Sequence, residues 1–360
     1  MITRSALCTM AFALLVFPIK AQLSFKGYSE MYYAYDFNAT SSVRDDWFYN
    51  HNLHNTIAPN LALLQANYKG KSAYAQLDLM FGSYAGAIMA NEPFWVQPIA
   101  QAYIGTRIKR FNIEAGIFES GIGLEGIKGS ENPTLTRSIV AENTPYFLTG
   151  LRTRWEDRTA IFLIEAAIIN GWETVTRHAS ESRPGVMARF RLGSEKVRIN
   201  YHFMYTNDKG GLVSPYTGMI NGFTFKHALN SWQWFLGYDN IQWNEGAVHI
   251  PHLIVRKEFS ERWAAAIRGE YIIDNSNNPF FISFDPLHPT IDRSFEALGG
   301  SFNIDYMPSK NLTLRAEIRH IDGSEEWNIS PQVSPHINAN SNVNRVYGNT
   351  TITVAACLAF

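Results

Sequence analysis

Charged side chains recur at every second position along several stretches: Arg152 and Arg154, Arg189 and Arg191, Arg268 and Glu270, and Arg315, Glu317 and Arg319. On an extended chain that spacing puts them on one face. Arg107, Glu114, Glu165 and Arg198 fall in the same phase of their own segments, so all thirteen are candidates to line one inner surface. The chemistry open to such a ladder is electrostatic rather than covalent. Arginines facing carboxylates across a narrow passage orient dipolar solutes and favour anions. The other use of the same residues is structural, each arginine pairing with an acid on the next strand and bracing the wall, because an unpaired desolvated charge is costly.

Covalent chemistry finds no support. Of the ten histidines, His178, His202, His227, His249, His252, His288, His320 and His336 stand in no serine-hydrolase or HExxH context, and no GxSxG, Walker or dinucleotide fingerprint occurs. His249 and His252 are three apart, which on a strand sends the rings to opposite faces, so no metal site is expected there. No cofactor is expected either.

The elements that carry the ladder are strands. Phe360, Leu358, Ala356, Val354 and Ile352 alternate with Ala359, Cys357, Ala355, Thr353 and Thr351, and near the other end Phe25, Met31, Tyr33, Tyr35 and Phe37 alternate with Lys26, Tyr28, Glu30, Tyr32 and Asp36. Period two with charge on one face only is the mark of a strand between two unlike media. The two ends could pair and close a barrel. Seven short turns, around positions 70, 110, 157, 194, 230, 261 and 309, alternate with eight longer polar segments at 38–53, 84–98, 122–145, 172–184, 208–221, 244–247, 275–293 and 323–345. That layout predicts an all-β fold, a single transmembrane antiparallel barrel of about sixteen strands with bounds of about fourteen to eighteen, short turns on the periplasmic side and long loops outside. A barrel of that size leaves an aqueous channel. Closure is also a physical demand, since an unpaired backbone amide in hydrocarbon costs several kcal/mol. Trp155, Trp232, Trp263 and Tyr306 beside short turns, and Tyr35, Phe37, Tyr205 and Trp243 beside long loops, would form two interfacial girdles against outer-membrane lipid.

Positions 1–21 read as a signal peptide, with Arg4 before an apolar run and Ala21 at a plausible cleavage point, leaving 22–360 as the barrel. Removing Arg4 and Lys20 leaves 29 basic against 32 acidic residues, a formal charge of −3 that gives no support to a nucleic-acid partner. Only Cys357 would remain, so no intramolecular disulfide is expected. The terminal Phe360 resembles the signal by which outer-membrane barrels are handed to their insertion machinery.

The segment AGIFESGIGLEGIKGSENPTLTRS at 115–138, with YFLTGLRTRW at 146–155 and NGWETV at 170–175, resembles the OmpL-like class of outer-membrane β-barrel porins, common in Bacteroidetes and other Gram-negative bacteria. The resemblance implies a diffusion channel and carries no catalytic residues. The expected function is passive passage of small polar solutes or ions. Two alternatives stay open: a surface-binding or adhesive barrel with little conductance, and, less favoured, a barrel enzyme. The loop 122–145 follows the fifth strand, where large porins often fold a loop into the lumen. Its Glu125, Lys128, Glu131, Arg137 and Glu142 are the candidate constriction residues, with an ordinary surface loop as the other reading. Sixteen-stranded porins are often trimers, and a homotrimer is therefore an open expectation, although the sequence carries no distinctive interface patch.

Overall fold

The computed structural model describes residues 22–39, 41–44, 48–90, 92–177, 183–207, 217–243, 246–275, 295–329 and 344–360, with backbone only at 217, 243, 325–329 and 344–347. The expected leader 1–21, His178, His288 and His336, the side chain of Trp243 and much of the loops after positions 207, 275 and 329 lie outside the described residues.

Sixteen strands run β1 (Gln22–Asp36), β2 (Ile57–Lys69), β3 (Ala73–Phe81), β4 (Ile99–Ile108), β5 (Phe111–Glu119), β6 (Phe147–Glu156), β7 (Phe162–Ile169), β8 (Arg183–Gly193), β9 (Val197–Asn207), β10 (Thr217–Leu229), β11 (Trp232–Trp243), β12 (Gly246–Glu258), β13 (Trp263–Asp274), β14 (Phe295–Tyr306), β15 (Leu312–Ile329) and β16 (Asn344–Ala359). Each pairs antiparallel with its sequence neighbours, and β1 pairs with β16 from Tyr28 opposite Ala359 to Asp36 opposite Thr351, closing the barrel. Both chain ends of the barrel lie on the side of the seven short turns, as the alternation of connections predicts.

The outward face is apolar and exposed, with Phe25, Leu77, Ile104, Ile168, Ile267 and Leu298 among its residues. A soluble sheet would bury that face against a second layer; here hydrocarbon is the second layer. Trp263 and Tyr306 touch at 4.6 Å between ring centroids at the short-turn end, the placement expected of an interfacial girdle. Gly27 exchanges backbone hydrogen bonds with Phe360 at 2.7 and 2.9 Å, and a Cβ on Gly27 would stand 2.3 Å from the Phe360 ring, so a side chain at position 27 would push the exposed terminal ring aside.

One departure from strict alternation has a purpose inside. On β2, Glu30 pairs with Leu61 and Met31 with Pro59, leaving Asn60 as the extra residue of a bulge. Pro59, which lacks an amide hydrogen, fits beside a bulge better than within a regular ladder. The bulge turns both Asn60 and Leu61 inward, and Asn60 Nδ2 donates to Glu30 Oε1 at 2.9 Å.

The inner face is not polar throughout, as strict alternation of charged and greasy faces implies. On its long-loop half, inward residues such as Ile169, Met187, Ile220, Ile250, Ile272 and Phe295 are buried in a cluster with Phe48, Ile122, Ile139 and Val140. Those last four belong to connections, not strands, so inward positions that meet a folded-in loop can be apolar.

Candidate functional site

The segment 122–145 leaves β5, crosses the barrel interior and lands on the far wall formed by β12 to β15 and β1. It contains a short 3-10 turn at Gly129–Glu131 and one helical turn, α1 (Ile139–Glu142). Its backbone has no sheet to pair with, so its amides and carbonyls must find side chains. They find the charged ladder. Thr136 N donates to Glu317 Oε2 and Thr136 Oγ1 to Glu317 Oε1, both at 2.7 Å. Ile139 N donates to Glu270 Oε2 at 2.7 Å, Leu135 N to Asn303 Oδ1 at 3.1 Å and Gly129 N to Glu30 Oε2 at 3.2 Å. In the other direction Arg268 donates to the Thr136 carbonyl at 2.7 Å and to Thr136 Oγ1 at 2.8 Å, Arg319 to the Arg137 carbonyl at 2.9 Å, and Arg315 to the carbonyls of Gly129 and Thr134.

The anchoring side chains are paired with one another as well. Arg268 reaches Glu317 at 3.0 Å, Glu270 at 3.4 Å and Glu125 at 3.9 Å; Arg319 reaches Glu270; Arg315 reaches Asp305 at 2.7 Å. All of these side chains are buried. Such pairs contribute little net stability, because desolvation offsets their attraction, but they fix position, since breaking one strands a charge.

Of the five loop residues singled out from sequence, three belong to this network. Glu125 accepts from Ser138 N at 2.9 Å and from its hydroxyl. Arg137 is fully buried and donates to the carbonyls of Gly126, Ile127 and Leu135. Glu142 accepts from the amides of Tyr49 and Asn50 at 3.0 and 3.2 Å, tying the β1–β2 connection to the loop. Lys128 and Glu131 instead pair with each other at 3.0 Å on a more exposed stretch.

On the β5 to β9 wall the predicted arginines are also committed. Glu114 takes Arg152 and Arg154, Glu165 takes Arg189 at 2.8 Å and lies 3.5 Å from Arg152, Arg191 pairs with Glu156 and Arg198 with Glu195. Of the two uses the sequence allows for these side chains, the geometry is that of bracing pairs. Arg107 differs: it is exposed near the short turns, and its Nε meets only the Asn112 amide oxygen, at 3.0 Å.

Sequence reasoning put Tyr28 and Glu30 on the polar face of the first strand and Arg319 in the ladder but missed Arg44, Phe48 and His51, which join them. His51 Nε2 lies 2.6 Å from Glu30 Oε1, Tyr28 donates to Glu30 at 2.5 Å, and Phe48 sits between the guanidinium groups of Arg44 and Arg319 at 4.9 and 4.8 Å. No local pattern marks the three residues of the connection; the only hint was the length of 38–53. His252 is buried on the inner face and His249 bonds Tyr238, so the two rings do separate as the strand geometry requires. Among the described residues no group of three His, Cys, Asp or Glu is placed to hold a metal.

The root of the loop is held by its neighbours. Tyr146 N donates to Glu173 Oε1 at 3.1 Å and Val175 N to Glu92 Oε1 at 2.6 Å, joining three long connections. Burial pushes the Glu173 carboxyl up to about 8, against the pull of the Tyr146 amide and helped by the Glu92 charge. The folded group thus holds its proton to higher pH than the unfolded one, whose ordinary value is 4.5. The folded arrangement around Glu173 is therefore favoured most below that value and loses stability as pH rises towards about 8, where the buried carboxyl must charge. Glu173→Gln is expected to abolish the dependence, keeping the Tyr146 amide as protected from hydrogen exchange at high pH as at low; a pH profile unchanged by the substitution would contradict this.

The fold is shared with solved outer-membrane proteins. In-vitro folded OmpT of Vibrio cholerae is similar with a TM-score of 0.58 at 10% identity, covering 96% of this chain and 99% of that one. The outer membrane channel DcaP of Acinetobacter baumannii gives 0.59 at 10% identity, covering 94% and 97%. The anion-selective porin from Comamonas acidovorans gives 0.58 at 8% identity, covering 94% and 100%. No curated protein matches the sequence. A family model does, over residues 22–360, and with the sixteen-strand barrel it places this chain in the outer membrane as a member of the family described as "Putative beta-barrel porin-2, OmpL-like".

Proposed function

We propose that this barrel passes small polar solutes or ions by passive diffusion, that the segment 122–145 is its constriction, and that it performs no catalysis. The observation that carries the reading is a chain segment crossing a closed sixteen-strand barrel, its backbone hydrogen-bonded to buried charged side chains of the opposite wall. A loop fixed in that way narrows the lumen to a defined size and charge instead of closing it at random. Export would remove the leader 1–21, and the exposed ring of Phe360 beside the β1–β16 seam is available to the insertion machinery before closure. A homotrimer is part of the proposal; a similar solved structure is OmpT in a trimer form.

Single-channel recording of the folded protein in a planar bilayer tests the reading. Stable ohmic steps are expected, with a small reversal potential in a salt gradient, because the inner arginines are nearly all neutralised by carboxylates. Insertion without current would refute diffusion and favour outer loops as a binding surface.

A further inference from the structure

Almost every cation on the inner face is matched by a carboxylate, and one recess breaks that pattern. At the short-turn end of β2 to β7 lies a cavity of about 360 Å³, within the size range of small-molecule sites. Its lining includes four cations, Lys69, Lys71, Arg107 and Arg154, and one carboxylate, Glu156. Arg154 is committed to Glu114, and Glu156 to Arg191. Among the described residues Lys69, Lys71 and Arg107 have no carboxylate within ion-pair distance, and the one bond that the Arg107 side chain makes, from Nε to Asn112, leaves the end of its guanidinium free. The recess therefore carries uncompensated positive charge.

The remaining lining adds a flat apolar surface and neutral hydrogen-bonding groups. Tyr74 and Tyr103 meet edge to face with centroids 6.4 Å apart. Gly105 makes room for this: a Cβ there would stand 2.5 Å from the Tyr74 ring. The Tyr74 hydroxyl is used, donating to Glu114 at 2.8 Å. The Tyr103 hydroxyl and the Asn67 side-chain amide have no hydrogen-bond partner among the described residues, and both border the cavity.

Free cations call for an anion, the aromatic pair for a ring, and the unused hydroxyl and amide for hydroxyl groups on that ring. We propose that this recess is a binding site for small hydroxylated ring carboxylates, the class of the hexuronates. The carboxylate meets Lys69, Lys71 and Arg107, the ring packs on Tyr103, and its hydroxyls bond Asn67 and Tyr103. The site deepens the diffusion reading, on which it rests for a solute's route to the recess, but binding can be measured without current.

Isothermal titration of the folded, detergent-solubilised protein with D-glucuronate, D-glucose and acetate tests it. Saturable binding of glucuronate that weakens with added salt is expected, with glucose and acetate each bound roughly tenfold more weakly or worse. The combined variant Lys69→Gln, Lys71→Gln, Arg107→Gln should lower glucuronate affinity by about tenfold, each exposed charge contributing a few-fold. These side chains are exposed and unpaired, so folding should survive; Lys71→Gln alone, with a smaller loss, is the check. Tyr103→Ala should weaken glucuronate and leave acetate unchanged. Equal binding of glucuronate and glucose, equal binding of glucuronate and acetate, or a triple variant of unchanged affinity would each overturn the site. A barrel that conducts yet gives no saturable glucuronate binding overturns the site alone, whereas one that binds glucuronate and never conducts overturns the diffusion reading alone.

Discussion

Replacing residues 122–144 with a four-residue glycine-serine link is expected to raise single-channel conductance roughly twofold or more, because conduction through a pore is set by its narrowest section. The base of the hairpin survives this change: Ser120 N still donates to the Tyr146 carbonyl at 2.9 Å, and β5 and β6 stay in register from Phe111 opposite Trp155 to Glu119 opposite Phe147. The barrel itself is held by pairing around its full circumference and by its lipid-facing residues, none of which the excision touches. Glu30, Glu270 and Glu317 lose their loop amides but keep partners in His51, Arg319 and Arg268. Water can replace the rest. A shortened protein that folds, inserts and conducts no better than the parent would show that the segment does not limit flow.

The second large effect centres on Arg268. Its guanidinium faces Glu317, Glu270 and Glu125 and donates to two positions of Thr136, with all the charged groups excluded from solvent. Arg268→Met leaves three buried carboxylates without their common cation, and loss of one partner from such a set costs ~3–5 kcal/mol. The cheapest way for the molecule to relieve this is to let the loop go, so that water reaches the acids. The expected result is protease cleavage within 122–145 of an otherwise folded barrel, together with noisy, larger current steps. Arg268→Lys should rescue only part, because an ammonium cannot reproduce the planar fork that bonds Thr136 and Glu317 together. Adding Glu317→Gln to Arg268→Met should recover more, since it removes one of the stranded charges, and that coupling separates an electrostatic cause from lost packing. A loop that stays protected in Arg268→Met would place the anchor elsewhere, with Arg315 and Asp305 the next pair to examine.

The network also explains why polar anchoring suits this loop better than an apolar plug. A greasy segment could pack in several registers, whereas the amides of Leu135, Thr136 and Ile139 each have one acceptor of the right height on the wall, in Asn303, Glu317 and Glu270. The apolar contacts of Ile122, Ile139 and Val140 lie towards the long-loop end, where inward Ile250, Ile272 and Phe295 receive them. Specific hydrogen bonds fix the position and apolar burial adds area.

The sequence by itself determined the strands, their number to within about two of sixteen, the alternation of turns and loops, and which face meets lipid, while leaving open whether the loop 122–145 enters the barrel. These features are local. Alternation at 352–360 or 25–37 is visible within one strand, and a Gly70 or Asn230 turn within four residues, because side-chain direction and turn chemistry depend on neighbours along the chain. Tertiary structure decided where charges go once there. Thr136 and Glu317 are 181 residues apart, Gly129 and Glu30 are 99 apart, and no periodicity links such positions; only closure of the ring brings β1 and β15 opposite the loop between β5 and β6. The same holds for the bulge that turns Asn60 towards Glu30, and for His51, which joins them from a connection with no strand pattern of its own. It also decided which arginines are spent and which are free. Arg154 and Arg107 read alike in the chain, but a carboxylate lies on the strand beside one and an amide beside the other, and charge becomes available to a solute only where the neighbouring strand fails to neutralise it.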